Sequence, residues 1–219
     1  QSQQPVGINF TAGGHYALLG AASSGKSTFV QTLLYSLIQR FTPDYLNIYV
    51  LDFSSRMTQP LAGAPQVGGI LFEDDLPRVG KLFYLMRTLL AERKQLFQGG
   101  DYQQYVLTNG VTCPAVLLVV DNIANFREKT QEAFDDELIR LAREGASYGI
   151  YLFITGGGFS ISEIPSRLAD QLRSSICLEL SDIYQYADAL RVPQPRTLPE
   201  QGVHGRGLTV VDGTVLEYQ

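Results

Sequence analysis

Gly20-Ala21-Ala22-Ser23-Ser24-Gly25-Lys26-Ser27-Thr28 decides how the rest of the chain is read. A glycine, four residues and then Gly-Lys-Ser is the Walker A pattern of a loop that cradles phosphates. The pattern counts only between a strand and a helix, and both flanks comply. Tyr16-Ala17-Leu18-Leu19 is an apolar, strand-like run, and Thr28 to Ile38 has helical spacing. Gly20 and Gly25 let the backbone wrap closely around a phosphate chain, since no Cβ blocks the approach or the positive φ angles. The N–H groups between Ala22 and Thr28 then point inward at the positive end of the following helix. Lys26 is placed to reach the β- and γ-phosphates, and the Ser27 hydroxyl to ligate Mg²⁺. The expected ligand is therefore a nucleotide with Mg²⁺, held by Gly20, Ser24, Gly25, Lys26, Ser27 and Thr28. A glycine-rich turn with no ligand is the competing reading; the Lys26-Ser27 pair argues against it, because folding needs neither residue.

Outward from this loop, strand and helix patterns alternate. A helix is predicted from about Ser27 to Arg40, with Phe29, Leu33, Leu34 and Leu37 on one face. Leu46 to Phe53 is a continuous apolar strand with Asp52 near its end, as in a parallel sheet covered on both faces. After a proline- and glycine-bearing loop over 54–68, Gly69 to Phe72 reads as a short strand. Asp74 or Asp75 caps a long helix running to about Gln98, with Pro77 in its first turn. Val79, Leu82, Phe83, Met86, Leu89 and Leu90 form its apolar face, and Arg78, Lys81, Arg87 and Arg93 read as a solvated one. Residues 98–113 read as a polar insertion holding a short helix. Its stretch Tyr102 to Leu107 is either a packed insertion or a surface for a peptide.

Ala115 to Val120 is a second buried strand, and Asp121 follows it. A carboxylate at the C-terminal end of such a strand is the Walker B arrangement, which completes a Mg²⁺ shell. Further on, a helix is predicted from about Gln131 to Glu144, a buried strand from Ile150 to Thr155, and a glycine turn over Gly156-Gly157-Gly158. A helix over Ile164 to Leu172, a strand over Ser175 to Leu180, and a helix over Ile183 to Leu190 complete the alternation. Leu208 to Val211 and Val215 to Tyr218 then pair through the Asp212-Gly213 turn as a hairpin. Residues 1–13 read as a lead-in strand or linker, and His15 as a strand-edge residue without an acid partner.

Composition sets outer limits. The chain has 219 residues, 45% of them hydrophobic and 18% charged, which suits one globular domain with a full core. Seventeen basic residues stand against 22 acidic ones, for a net charge of −5. A protein that grips DNA through phosphates usually carries a basic excess, so DNA is a poor candidate partner. Cys113 and Cys177 fit neither a zinc spacing nor a disulfide framework and are expected to be buried free thiols. No apolar run reaches the roughly 18 residues of a membrane helix, and no signal-peptide pattern is present. The chain is expected to be one domain over 1–219, excised from a longer polypeptide.

Taken together, several stretches resemble the FtsK/SpoIIIE class of P-loop ATPases, and within it the modules of the type VII secretion ATPases called EssC or EccC. The matching stretches are Gly14 to Gly20 with the loop itself, Tyr49-Val50-Leu51-Asp52-Phe53, Leu118-Val119-Val120-Asp121-Asn122, Leu141 to Ile150, and Gly205-Arg206-Gly207-Leu208. The resemblance implies a RecA-like fold: a mainly parallel central sheet with helices on both faces and a C-terminal β-hairpin. It implies a cytoplasmic, ATP-binding module of a membrane-anchored, multi-module protein that drives export of WXG100-type substrates. The implied partners are neighbouring ATPase modules of the same chain, those substrates and other secretion components, with oligomerisation in the full-length protein.

Two departures from the class matter. Active members carry an acid after the Walker B Asp, whereas Asn122 stands here, and an amide cannot accept a proton from water. The next strand commonly ends in a polar sensor, whereas Gly156 to Gly158 follow Thr155. The resemblance thus implies a degenerate second or third module, with Asp121 and the altered position 122 at its catalytic centre and Ser27 with Asp121 as metal ligands. Its hydrolysis is expected to be slow or absent in isolation. Should Asn122 not mark the water-activating position, Asp52 is the next candidate. Arg206 is either an arginine offered to a neighbouring module or a surface turn. A DNA-translocase motor of the FtsK type is the alternative function, and a protein-binding module without nucleotide a third reading.

Overall fold

The computed structural model describes residues 7–195, 198–200 and 202–219. Its centre is a sheet in which the strand leading into the phosphate loop, β1 (Tyr16–Leu19), pairs in parallel with two strands distant in sequence. On one side lies β5 (Ile150–Gly156), on the other β6 (Ser174–Cys177). Beyond β5 come β4 (Ala115–Asp121), β2 (Leu46–Asp52) and β3 (Val67–Phe72), all parallel. Beyond β6 the hairpin of β7 (Gly207–Val211) and β8 (Thr214–Tyr218) adds two antiparallel strands. The eight-stranded order is β3-β2-β4-β5-β1-β6-β7-β8. Parallel neighbours need crossover connections, and helices supply them on both faces except between β2 and β3, which a loop with one 3-10 turn joins. The expected α/β fold with a mainly parallel sheet and a C-terminal hairpin is the one observed.

Alternation along the strands sorts the core into two layers. Leu18, Ile48, Val50, Leu117, Val119 and Phe153 face α2 (Lys26–Arg40), which contributes Val30 and Leu34. Ala17, Leu19, Leu51, Leu118, Val120 and Ile154 face the other layer. There they meet α3 (Leu76–Leu96), α5 (Ile123–Thr130), α6 (Asp135–Glu144) and α8 (Ile183–Leu190). Both faces of the inner strands are dry, which explains their unbroken apolar sequences.

Several boundaries differ from expectation. Phe10–Gly13 form a short helix, α1, capped by Asn9, where a strand or linker was expected; the rest of that expectation, over 1–6, lies outside the described residues. The helix expected over 131–144 is α6, which begins only at Asp135, and a separate helix that was not expected, α5, precedes it. Gln131 and Glu132 adopt left-handed backbone (φ 52° and 59°) and break the path between them. The helix expected over 164–172 is reduced to α7 (Ser166–Ala169), because Leu172 N–H turns back to the Ala169 carbonyl. The strand expected over 175–180 is β6, ending at Cys177.

Two side-chain expectations also change. Arg93 does not belong to a solvated face: it is 4% exposed and donates to the carbonyls of Tyr148, Gly149 and Pro114. The insertion helix α4 (Tyr102–Asn109) explains part of its burial, since the Tyr102 ring lies beside the guanidinium. Tyr105 stacks on Phe97 at 4.6 Å, so this stretch is a packed insertion with Leu107 left exposed. Cys177 is buried, and its thiol is pushed up to about 12 by that burial, whereas Cys113 is only half-buried. Among the described residues no helix is long and apolar enough to cross a membrane.

Candidate functional site

All the parallel strands deliver their C-terminal ends to one edge, and the phosphate loop lies there. The loop bridges two strand ends: Gly20 N–H donates to the Gly156 carbonyl (3.1 Å) and Ala21 N–H to the Glu179 carbonyl (2.8 Å). Gly20 is required by contact, because a Cβ there would lie 2.4 Å from Ser24 Oγ. Gly25 is required by conformation: as the residue preceding α2 it has φ 98°. The amides at the start of α2 thus open toward the sheet edge. Lys26 Nζ donates to the carbonyls of Gly20 (2.6 Å) and Ala21 (2.7 Å), so its charge sits over the loop. Burial lowers its proton affinity, and the carboxylates of Asp121 and Glu163 oppose that shift.

Asp121 stands 1% exposed at the end of β4. Its Oδ2 accepts from Ser27 Oγ at 2.8 Å and its Oδ1 from Thr155 Oγ1 at 2.6 Å. Burial raises its pKa; these two hydrogen bonds and Lys26 counter the rise, and neighbouring Asp52 adds to it. Ser27 Oγ also lies 3.0 Å from Ser54 Oγ on the loop after β2. The two expected metal ligands, Ser27 and Asp121, are therefore already in contact. Hard oxygen donors of this kind suit Mg²⁺, which takes few protein ligands and fills its shell with water and phosphate oxygens. Ser24 Oγ is buried with no hydrogen-bond partner among the described residues, an orphaned polar atom on the inner side of the loop. These features fit a Mg²⁺–nucleotide.

Asn122 has a structural reason for its identity. It sits in left-handed backbone (φ 68°, ψ 73°) and caps α5, its Oδ1 accepting from Asn125 N–H at 3.3 Å. Asparagine tolerates that backbone and that cap far better than glutamate does. Its own N–H donates to Thr155 Oγ1 at 2.8 Å, so Thr155 ties positions 121 and 122 together. Because α5 was not anticipated, the sequence reading could not see this cap.

Asp52 lies beside Asp121 in register, yet its carboxylate is fully committed. It accepts from the N–H groups of Ser54, Arg56 and Thr58 and from Thr58 Oγ1, closing the loop after β2. It holds Ser54 in place as an anchor of that loop. Thr28 follows Ser27 in the first turn of α2. Arg206 is paired with Glu200 (2.9 Å) and Glu217 (3.3 Å), which fits the surface-turn reading. His15 is buried and structural: its Nδ1 accepts from Leu152 N–H at 2.9 Å. Sequence reasoning missed Ser54 and Glu163 as site residues. Thr155 was legible as a hydroxyl ending an apolar strand, whereas Glu163 comes from a loop that carries no motif.

Comparison with known proteins gives one consistent answer. The FtsK/SpoIIIE family model matches residues 1–110. The ESX secretion system protein EccC of Thermomonospora curvata is 31% identical over 223 residues, covering 95% of this chain and 16% of that protein. The solved EssC fragment from Geobacillus thermodenitrificans that holds ATPases 2 and 3 superposes with a TM-score of 0.85 at 26% identity, covering 99% of this chain and 41% of that one. The T. curvata EccC fragment with ATPases 2 and 3, solved with a signal sequence peptide, gives 0.80 at 30% identity, covering 95% and 38%. The chain spans 12–16% of the length of the curated relatives it matches. These relatives are secretion proteins by name, and they do not favour the DNA-translocase alternative.

Proposed function

This chain belongs to the FtsK/SpoIIIE family, and on that premise we propose that it is an ATP-binding module of a type VII secretion ATPase with little hydrolytic capacity of its own. The observation that carries the reading is the contact of Ser27 Oγ with Asp121 Oδ2 at 2.8 Å, next to Lys26, whose ammonium is held over the loop. Nothing in the packing of the sheet calls for that pair. Bound nucleotide would be held by the amides from Ser24 to Thr28 with Gly20 and Gly25 shaping the loop, by Lys26, and by Mg²⁺ on Ser27 and Asp121. The metal's contribution is to neutralise and orient the phosphates. Thr155 keeps the Asp121 carboxylate aimed, and Ser54 supports Ser27 from the opposite side.

Turnover is slow on this reading because position 122 offers an amide whose oxygen already caps α5. The module is one of several in a longer chain, as in the EssC and EccC fragments that contain ATPases 2 and 3. Its place is the cytoplasmic side of a membrane-anchored machine, and its substrates are WXG100-type proteins. Export is the test. Lys26→Ala in the parent protein should impair secretion of such substrates while the chain stays folded and membrane-bound. Undiminished export by that variant would count against a working nucleotide site.

A further inference from the structure

The turn after β5 carries no side chain at Gly156, Gly157 or Gly158, yet a carboxylate stands over it. Glu163 folds back so that its Oε2 accepts the Gly157 N–H at 2.5 Å. A Cβ on Gly157 would lie 2.6 Å from Glu163 Oε1 and 3.0 Å from Oε2; one on Gly156 would lie 3.4 Å from Oε2. The glycine at 157 leaves the space that the carboxylate fills.

This placement is built. Arg127, almost wholly buried, donates to the backbone carbonyls of Ser162 (3.1 Å) and Glu163 (3.2 Å). Its guanidinium is fixed in turn by Asp135 and Glu132. Ile164, the next residue, is fully buried in the core, and Glu163 N–H closes a turn onto the Ser160 carbonyl at 3.0 Å. The backbone of Glu163 is thus clamped from both sides while its side chain reaches the glycine turn.

The position matters because β5 lies between β4 and β1. Its C-terminal turn therefore lies at the same sheet edge, flanked by the end of β4, which carries Asp121, and the end of β1, which leads into the phosphate loop, and Gly156 bonds directly to Gly20. The Lys26 ammonium feels the carboxylates of both Asp121 and Glu163.

We propose that Glu163 sets nucleotide preference: its carboxylate, held on the Gly157 amide beside the phosphate loop, disfavours a nucleoside triphosphate relative to the diphosphate. The proposal rests on the nucleotide-binding reading above. A terminal phosphate brings added negative charge to the Lys26 side of the loop, where like charges in a partly dry site repel strongly. The Gly157 N–H, a donor suited to a phosphate oxygen, is already taken.

Calorimetric titration of ATP and ADP, each with Mg²⁺, into wild type, Glu163→Gln and Gly157→Ala tests this. Glutamine keeps the shape and can still accept from Gly157; the alanine Cβ pushes the carboxylate aside. ATP should bind on the order of tenfold more tightly to both variants, with ADP changed less than about threefold. An unchanged ATP-to-ADP ratio in both variants overturns the proposal, as does an equal shift for both nucleotides, which would mark a packing role. A fall in turnover at an unchanged ratio overturns it too, since it would make Glu163 a base. Binding with an unchanged ratio removes this proposal alone. Absence of binding by wild type removes the nucleotide reading with it.

Discussion

Ser27 and Asp121, 94 positions apart in sequence, meet at 2.8 Å on the C-terminal edge of the sheet. Each oxygen of that carboxylate receives one hydroxyl, Ser27 on Oδ2 and Thr155 on Oδ1. One hydroxyl comes from the phosphate loop and the other from the strand between loop and carboxylate. The group is therefore oriented from both sides in a nearly dry setting, and loss of either donor leaves a buried charge short of a partner.

Thr155→Val tests the side of this arrangement away from the loop. The variant keeps the β-branched shape but removes the donor to Asp121 and the acceptor for Asn122 N–H. Unfolding by urea should show a loss of about 1–3 kcal/mol, the usual cost of stranding buried polar partners. A variant as stable as wild type would mean that water replaces both bonds without cost.

Asn122→Glu should not turn the module into a fast ATPase. Glutamate would lose the cap on α5 and would occupy left-handed backbone (φ 68°). Loss of the cap together with the backbone strain amounts to about 1–3 kcal/mol of stability. Any gain in steady-state hydrolysis should fall short of the roughly 10²–10⁴-fold worth of a well-placed general base. A stable variant whose rate rises a hundredfold would show that the missing acid was the whole defect.

His15 predicts a pH dependence of stability. Its pKa falls to about 4 because burial penalises the charged ring, with a contact to the Ala142 backbone opposing in part. The unfolded chain therefore binds a proton here that the folded chain refuses. The stability from this group is complete above the unfolded pKa of about 6.5 and is lost progressively as pH falls toward 4, for a total of about 3 kcal/mol. Asparagine can present an oxygen to Leu152 N–H without titrating. Wild type should lose stability between pH 6.5 and 4 more steeply than His15→Asn, as followed by thermal unfolding. Parallel curves would remove His15 as the cause.

Arg93 and Arg87 share a helix and differ in consequence. Arg93→Met strands the carbonyls of Tyr148, Gly149 and Pro114 and should cost about 2–4 kcal/mol. Arg87 pairs with Glu137 at 2.8 Å with 46% of its side chain exposed, so Arg87→Ala should cost less than about 1 kcal/mol. Denaturant midpoints of the two variants should separate clearly. Similar midpoints would mean that Arg93 is not holding the insertion to the sheet.

The difference between those two arginines marks where reading from sequence stops. Periodicity finds the inner strands and the long helix, because doubly covered strands must be apolar throughout and a one-sided helix must repeat its apolar face. The phosphate loop and Asp121 were legible because their chemistry is tied to local order: a strand end, a loop, a helix start. Arg93 was misplaced because its helical position does not reveal that three carbonyls from other segments converge on it. Asn122 was read by comparison with an expected acid, while its cap depends on a helix whose first turn, Ile123-Ala124-Asn125, carries a weak helical signal. Glu163 was invisible for the same reason. Its placement depends on Arg127 clamping a loop 35 residues away, a contact that no spacing encodes.

The most direct test of the account is isothermal titration of ATP with Mg²⁺ into the purified chain and its Lys26→Ala variant. Wild type should bind one nucleotide per chain, with affinity that falls when Mg²⁺ is chelated. Lys26→Ala, equally folded by circular dichroism, should bind at least about a hundredfold more weakly, as expected for removing a charged donor from phosphates. Equal affinities in the two proteins would contradict a phosphate-binding loop.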